Sequence, residues 1–202
     1  CQHAGCNEAQ QQGPVCGQIN GGNEQHQGNE RNKKQLAGKQ PAKDGSGFYY
    51  SRFPEPDAKG AFQDLNRDQA VYFHRLGTLQ SADVLVHATP DDPELNNTAH
   101  VTDDGQYLLA YASKGTDARY SVWAYPITAA GVGKAIPLFT DFAHSWGYIA
   151  NEGTRFIFQT NKDAPRERLV SFDMSKPNAL AEIVPQRDAT LAGASRVGDK
   201  LI

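Results

Sequence analysis

Three stretches of this chain repeat one pattern at a period of about fifty residues: KDGSGFYYSR around Gly45, TDDGQYLLAY around Gly105 and NEGTRFIFQT around Gly153. Each places an acid before a glycine, then two residues, then an apolar run. Asp-Gly and Glu-Gly favour tight hairpin turns, because glycine accepts a positive φ that a Cβ makes costly. Each unit is therefore expected to open with a hairpin. The runs after the turns, Phe48 to Tyr50, Tyr107 to Tyr111 and Phe156 to Phe158, carry apolar side chains on both alternating faces. A strand with one wet face would alternate apolar and polar residues, so these strands are expected to be covered on both sides.

A second strand follows in every unit, AVYFHRL from Ala70, YSVWAYPI from Tyr120 and ERLVSFDM from Glu167. A weaker third run comes next, in DVLVHAT, KAIPLF and LAEIVP, while AHV and WGYIA supply the strand that enters the following turn. Four short antiparallel strands per repeat are the pattern of a β-propeller blade. A β-sandwich also shows short strands with frequent turns, yet it has no need of the same strand-turn-strand text three times over. The expected fold is thus all-β, a partial β-propeller over residues 44–202 with about three four-stranded blades. LAGASRVGDKLI at the end reads as the start of a fourth.

Residues 1–43 are different. They are dominated by Gln, Asn and Gly, with Val15, Ile19 and Leu36 almost alone as larger aliphatics. Such text buries too little apolar surface to offset an ordering entropy of about 1–2 kcal/mol per residue, and a disordered segment is expected. All three cysteines, Cys1, Cys6 and Cys16, lie there with His3 and His26. Their spacing is not the paired knuckle of a zinc site, so a solvated tail is the preferred reading. A formal net charge of −3 gives no electrostatic case for nucleic acid or an anionic membrane. No apolar run is long enough to span a bilayer, and no basic-then-apolar leader is present. Cytoplasmic and periplasmic locations both stay open for a soluble parent protein. Position 1 is Cys1 and not Met, so a fragment of a longer chain is expected.

YFHRLGTLQSADVLVHATPDDPE, from Tyr72 to Glu94, resembles the propeller domain of the prolyl oligopeptidase family of serine peptidases. There a strand ending in Leu-Gly-Thr is followed by Gln-Ser, one residue and an acid, as in Leu76-Gly77-Thr78 and Gln80-Ser81-Ala82-Asp83. DGSGFYYSRFPEP before it and TNKDAPRERLVSFDMSKP after it are similar to the same family in order and spacing. The resemblance runs from about Lys43 to the end. It implies an enzyme of two domains: an α/β-hydrolase with a Ser, Asp, His triad that cleaves short peptides after proline, and a seven-bladed propeller that covers its active site. Implied partners are the missing hydrolase domain and short proline-containing peptides.

No catalytic residue is assigned to this chain. The text nearest to the Gly-x-Ser-x-Gly elbow of a hydrolase is Gly193 to Val197, where the fifth residue is Val and the run reads as strand, so Ser195 is not expected to be a nucleophile. His74, His87, His100 and His144 are possible bases, and Asp83, Asp91, Asp103 and Asp104 possible orienting acids, but a triad needs mutual reach. Strand or turn roles are the simpler reading for each. Asp103-Asp104 precedes Gly105 and is explained first as turn chemistry. Trp123 and Trp146 read as blade packing in preference to a stacking platform, and Arg166 and Arg168 as a solvated loop. No phosphate loop, HExxH or EF-hand pattern occurs, so no cofactor or metal is expected. The functional expectation is a non-catalytic, gating piece of a prolyl oligopeptidase. The alternative is a stand-alone propeller that scaffolds protein interactions.

Overall fold

The computed structural model describes residues 38–55 and 66–202. It is a partial β-propeller. The first blade is β1 (Gln40–Pro41), β2 (Gly47–Arg52), β3 (Ala70–Arg75) and β4 (Val84–His87), antiparallel and in that order across the sheet. The second orders β5 (Asn96–Val101), β6 (Tyr107–Ser113), β7 (Tyr120–Thr128) and β9 (Ile136–Phe139), while the short β8 (Gly131–Val132) extends the far end of β7 into a ribbon. The third is β10 (Trp146–Glu152), β11 (Arg155–Thr160), β12 (Arg168–Asp173) and β13 (Ala181–Val184). A last hairpin joins β14 (Arg196–Val197) to β15 (Lys200–Leu201).

The three repeated glycines do what their spacing implies. Gly45, Gly105 and Gly153 have φ of 72°, 71° and 56°. In the first two turns the preceding acid fastens the loop: Asp44 Oδ1 accepts from the Ser46 amide at 2.9 Å, and Asp104 Oδ1 from the Gln106 amide at 3.0 Å. The third turn is tighter, since Glu152 pairs directly with Arg155 around Gly153 and Thr154. Outer strands carry devices against stray pairing. Pro137 interrupts the donors of β9, and irregular register marks the outermost pairing of all three blades.

Two hydrophobic seams hold the blades together, and the second blade is the wall between them. Leu108, Ala110 and Tyr125 belong to one core with Tyr49, Val71 and Val101, and partly buried Trp123 packs against it. Leu109, Val122 and Ala124 face the other way, toward Trp146, Phe156, Phe158, Val170 and Phe172. Period-two alternation thus serves two cores, which is why Leu108, Leu109 and Ala110 are all fully buried. The second seam is aromatic: Phe139 lies parallel on Trp146 at 3.5 Å, and edge-on to Phe158 and Phe172. Trp123 and Trp146 are blade packing.

Two expectations need correction. β11 is not covered on both sides: Phe156, Phe158 and Thr160 are buried, but Arg155 is exposed and Ile157 only half-buried. The physical reason is that its second face has no blade against it among the described residues. The body also reaches back past Lys43. β1 lies inside the segment expected to be disordered, because Gln40 and Pro41 complete the sheet against Tyr49 and Phe48. The three cysteines, His3 and His26 lie outside the described residues.

Candidate functional site

The most specific sequence text folds into a polar cluster. His74, near the end of β3, and Asp83, just before β4, lie on opposite sides of a tight crossing made by Gly77 (φ 82°) and a 3-10 turn at Gln80–Ala82. That crossing brings His74 Nδ1 to 2.7 Å from Asp83 Oδ1. The Asp83 side chain is fully buried and its carboxylate can only accept, so Nδ1 donates this bond from a ring that keeps some exposure. The Tyr50 hydroxyl from β2 donates to the other carboxylate oxygen, and Gln80 Nε2 donates to that hydroxyl at 3.0 Å. Burial, and secondly the bond to Asp83, push the Tyr50 phenol upward.

An oriented histidine with a buried acid is two thirds of a Ser-His-Asp triad. Ser195 is exposed and far along the chain, flanking the last hairpin, where its amide and carbonyl pair with Ile202. Among the described residues no serine or threonine hydroxyl is bonded to His74. Among the described residues the other histidines form no ion pair with an acid. His87 bonds through Nδ1 to the Tyr125 hydroxyl at 2.7 Å, His100 packs on Tyr148, and His144 packs edge-on to Trp146. Burial lowers the His100 pKa, with Asp103 opposing. Asp91 is exposed. Arg166 makes a long contact to Asp188, and Arg168 bridges Asp163 and Glu182. Among the described residues no group of three His, Cys, Asp or Glu could hold a metal ion.

The acid pair is turn chemistry extended across blades. Asp104 accepts from Thr102 and Gln106 within its own loop, and its second oxygen accepts from Asn151 Nδ2 of the third blade. One repeat on, Arg196 Nη2 donates to Glu152 at 2.9 Å and Nη1 to the Asn151 carbonyl at 3.2 Å. Asn151 and Arg196 each stand two residues before a turn glycine, and each reaches the acid that precedes the turn glycine of the unit before it. Sequence reasoning overlooked Tyr50, Asn151 and Arg196. Their signal was present only as repeat positions, Asn151 and Arg196 being equivalent to Lys43 and Asp103.

Repeated four-stranded blades joined by aromatic seams define a β-propeller fold. Comparisons with known proteins give its family. Residues 31–202 match the family model described as prolyl oligopeptidase, N-terminal β-propeller domain. The chain belongs to the prolyl oligopeptidase family. Prolyl oligopeptidase A of Galerina marginata is 32% identical over 162 residues, covering 76% of this chain and 22% of that protein. Prolyl endopeptidase of Elizabethkingia meningoseptica is 32% identical over 133 residues, 66% of this chain and 18% of its own length. A solved prolyl endopeptidase from work on inter-domain dynamics superposes with a TM-score of 0.72 at 30% identity, over 81% of this chain and 23% of that one. Prolyl oligopeptidase B of Galerina marginata, bound to a 25mer macrocyclization substrate, gives 0.72 at 26% identity over 80% and 23%. The match begins at residue 31, twelve residues before the resemblance read from motifs.

Proposed function

We propose that this chain is the non-catalytic propeller portion of a prolyl oligopeptidase, covering and gating the active site of an α/β-hydrolase domain that cleaves short peptides after proline. The observation that carries the reading is the family match over 31–202 to a propeller domain, in a chain that spans 22% of a full-length relative. The side-chain chemistry agrees: the His74–Asp83 pair is spent on joining three strands of one blade, and among the described residues no hydrogen bond joins Ser195 to a histidine. The partners under this reading are the hydrolase domain of the same polypeptide and short proline-containing peptides.

The gene beyond Ile202 tests it. Further four-stranded repeats followed by a Gly-x-Ser-x-Gly elbow and a later Asp and His are expected. A reading frame that closes without them would favour the scaffold alternative. In the chain itself, hydrolysis of proline-containing chromogenic peptides is expected to stay at background. Turnover abolished by Ser195→Ala or His74→Ala, with contaminating peptidase excluded, would overturn the reading.

A further inference from the structure

The seam between the first and second blades encloses one imidazole. His87 ends β4 and is 5% exposed. Its Nδ1 is tied to Tyr125 of β7, and its ring packs on Trp123 of the same strand at 4.7 Å. Its Nε2 is buried with no hydrogen-bond partner, and so is the amide oxygen of adjoining Asn97 on β5. The other end of that amide is fixed, since Asn97 Nδ2 donates to the Gln69 carbonyl at 2.6 Å and to Thr89 Oγ1 at 2.8 Å. The seam therefore buries an imidazole whose charged form would meet only neutral polar groups, the Tyr125 hydroxyl and the Asn97 amide. A second ring proton would place a full charge there.

We propose that this seam is an acid-labile joint, closed while the His87 imidazole is neutral and loosened when it takes up a proton. Among the described residues no carboxylate acts on the ring to stabilise its charged form. β3 offers Val71 directly opposite in register, β7 offers Tyr125 and Trp123, and β5 offers Asn97. Tyr125 is itself kept neutral by burial. Burial lowers the pKa of His87 to about 4, with the Asn97 amide the one opposing influence. A ring that resists protonation in the closed seam and accepts it freely once exposed couples one proton to opening. The opening equilibrium then rises by up to about tenfold per pH unit between the two pKa values. This joint is a property of the blades, independent of the peptidase reading.

Hydrogen exchange on the full chain, corrected for intrinsic rates, tests the proposal. Protection factors of β4 and β7 are expected to fall about tenfold per unit from pH 6 to pH 4.5 in the wild type, while β11 and β12 hold theirs. In His87→Gln, which keeps hydrogen-bonding capacity and cannot titrate, β4 and β7 are expected to stay flat. A parallel fall in β11 and β12, a fall preserved in the Gln variant, or β4 unprotected already at pH 7 would each overturn the joint. Histidine proton NMR of the wild type gives an answer that needs no variant: one of the six imidazoles must titrate near pH 4, and six ordinary titrations would refute the proposal.

Discussion

Asn151 donates its side-chain amide to Asp104 at 2.6 Å across the seam between the second and third blades. The same amide also reaches the Gly153 carbonyl at 3.1 Å, and the Asn151 oxygen accepts from the Tyr148 hydroxyl at 2.7 Å. Asn151→Ala removes all three bonds, taking from Asp104 Oδ2 its donor across the seam and from the Tyr148 hydroxyl its acceptor. The expected cost is about 2–3 kcal/mol, read as a lowered urea midpoint with unchanged slope. Asp104→Ala in the same background is expected to cost less than it does alone, because the two side chains share one network. Strict additivity would show that the bond carries no coupling.

Three glycines separate conformational strain from crowding. At Gly153 (φ 56°) nothing lies within 4 Å of an added Cβ, so Gly153→Ala meets only the left-handed penalty of about 1 kcal/mol. At Gly105 the Cβ adds a 2.4 Å approach to Lys43 Cγ, which a flexible side chain can relieve. At Gly47 it would lie 2.0 Å from the His74 backbone oxygen, and only movement of β2 away from β3 makes room. Destabilisation is expected to rise in the order Gly153, Gly105, Gly47, reaching about 3 kcal/mol or more at the last. Thermal midpoints of the three alanine variants check the order, and a benign Gly47→Ala would contradict it.

Asp83→Asn keeps the shape of the cluster and removes its charge. Tyr50 and His74 then lose a charge-assisted acceptor in a buried position, at an expected cost of about 2–4 kcal/mol. Protection in β4 is expected to suffer first, because Asp83 anchors the start of that strand. Stability equal to wild type would mean that the carboxylate is dispensable to the blade.

Acid should unfold the chain in two separate windows. The His87 pKa falls on folding from 6.5 to about 4, so the unfolded chain binds the extra proton and stability present above 6.5 is lost as pH falls through 4. That fall corresponds to about 3 kcal/mol. Asp117, held to about 2 by bonds from Arg119, and Asp173, held to about 2 by Ser175 and Thr154, act only below 3.8. Urea midpoints of wild type and His87→Gln from pH 7 to pH 3 check this. The variant is expected to lose most of the upper step and none of the lower, the remainder of the upper step belonging to His100, whose pKa burial also lowers; an unchanged upper step would refute the assignment.

The turns and strands were legible because their causes are local. An acid and a glycine fix each hairpin, and an apolar run of period two fixes the strand after it. The double coverage of β6 was legible for the same reason. The bond from Asn151 to Asp104 was not, since it joins residues 47 positions apart and exists only once two blades lie side by side. His74 and Asp83 were both visible as candidates, yet their contact depends on how Gly77 and the 3-10 turn fold the crossing. β1 was missed because Gln40 and Pro41 look like tail, and only the partner strand makes them sheet.

Leu108 and Leu109 are neighbours in the chain and inhabitants of different cores. A single inserted or deleted residue in β6 would therefore turn the side chains that this strand gives to one core toward the other. The strand can change its side chains but not its count. Tolerance of added length is accordingly expected in connections such as the one between β2 and β3, and the spacing from Gly105 to β7 acts as a ruler that the rest of the blade must obey.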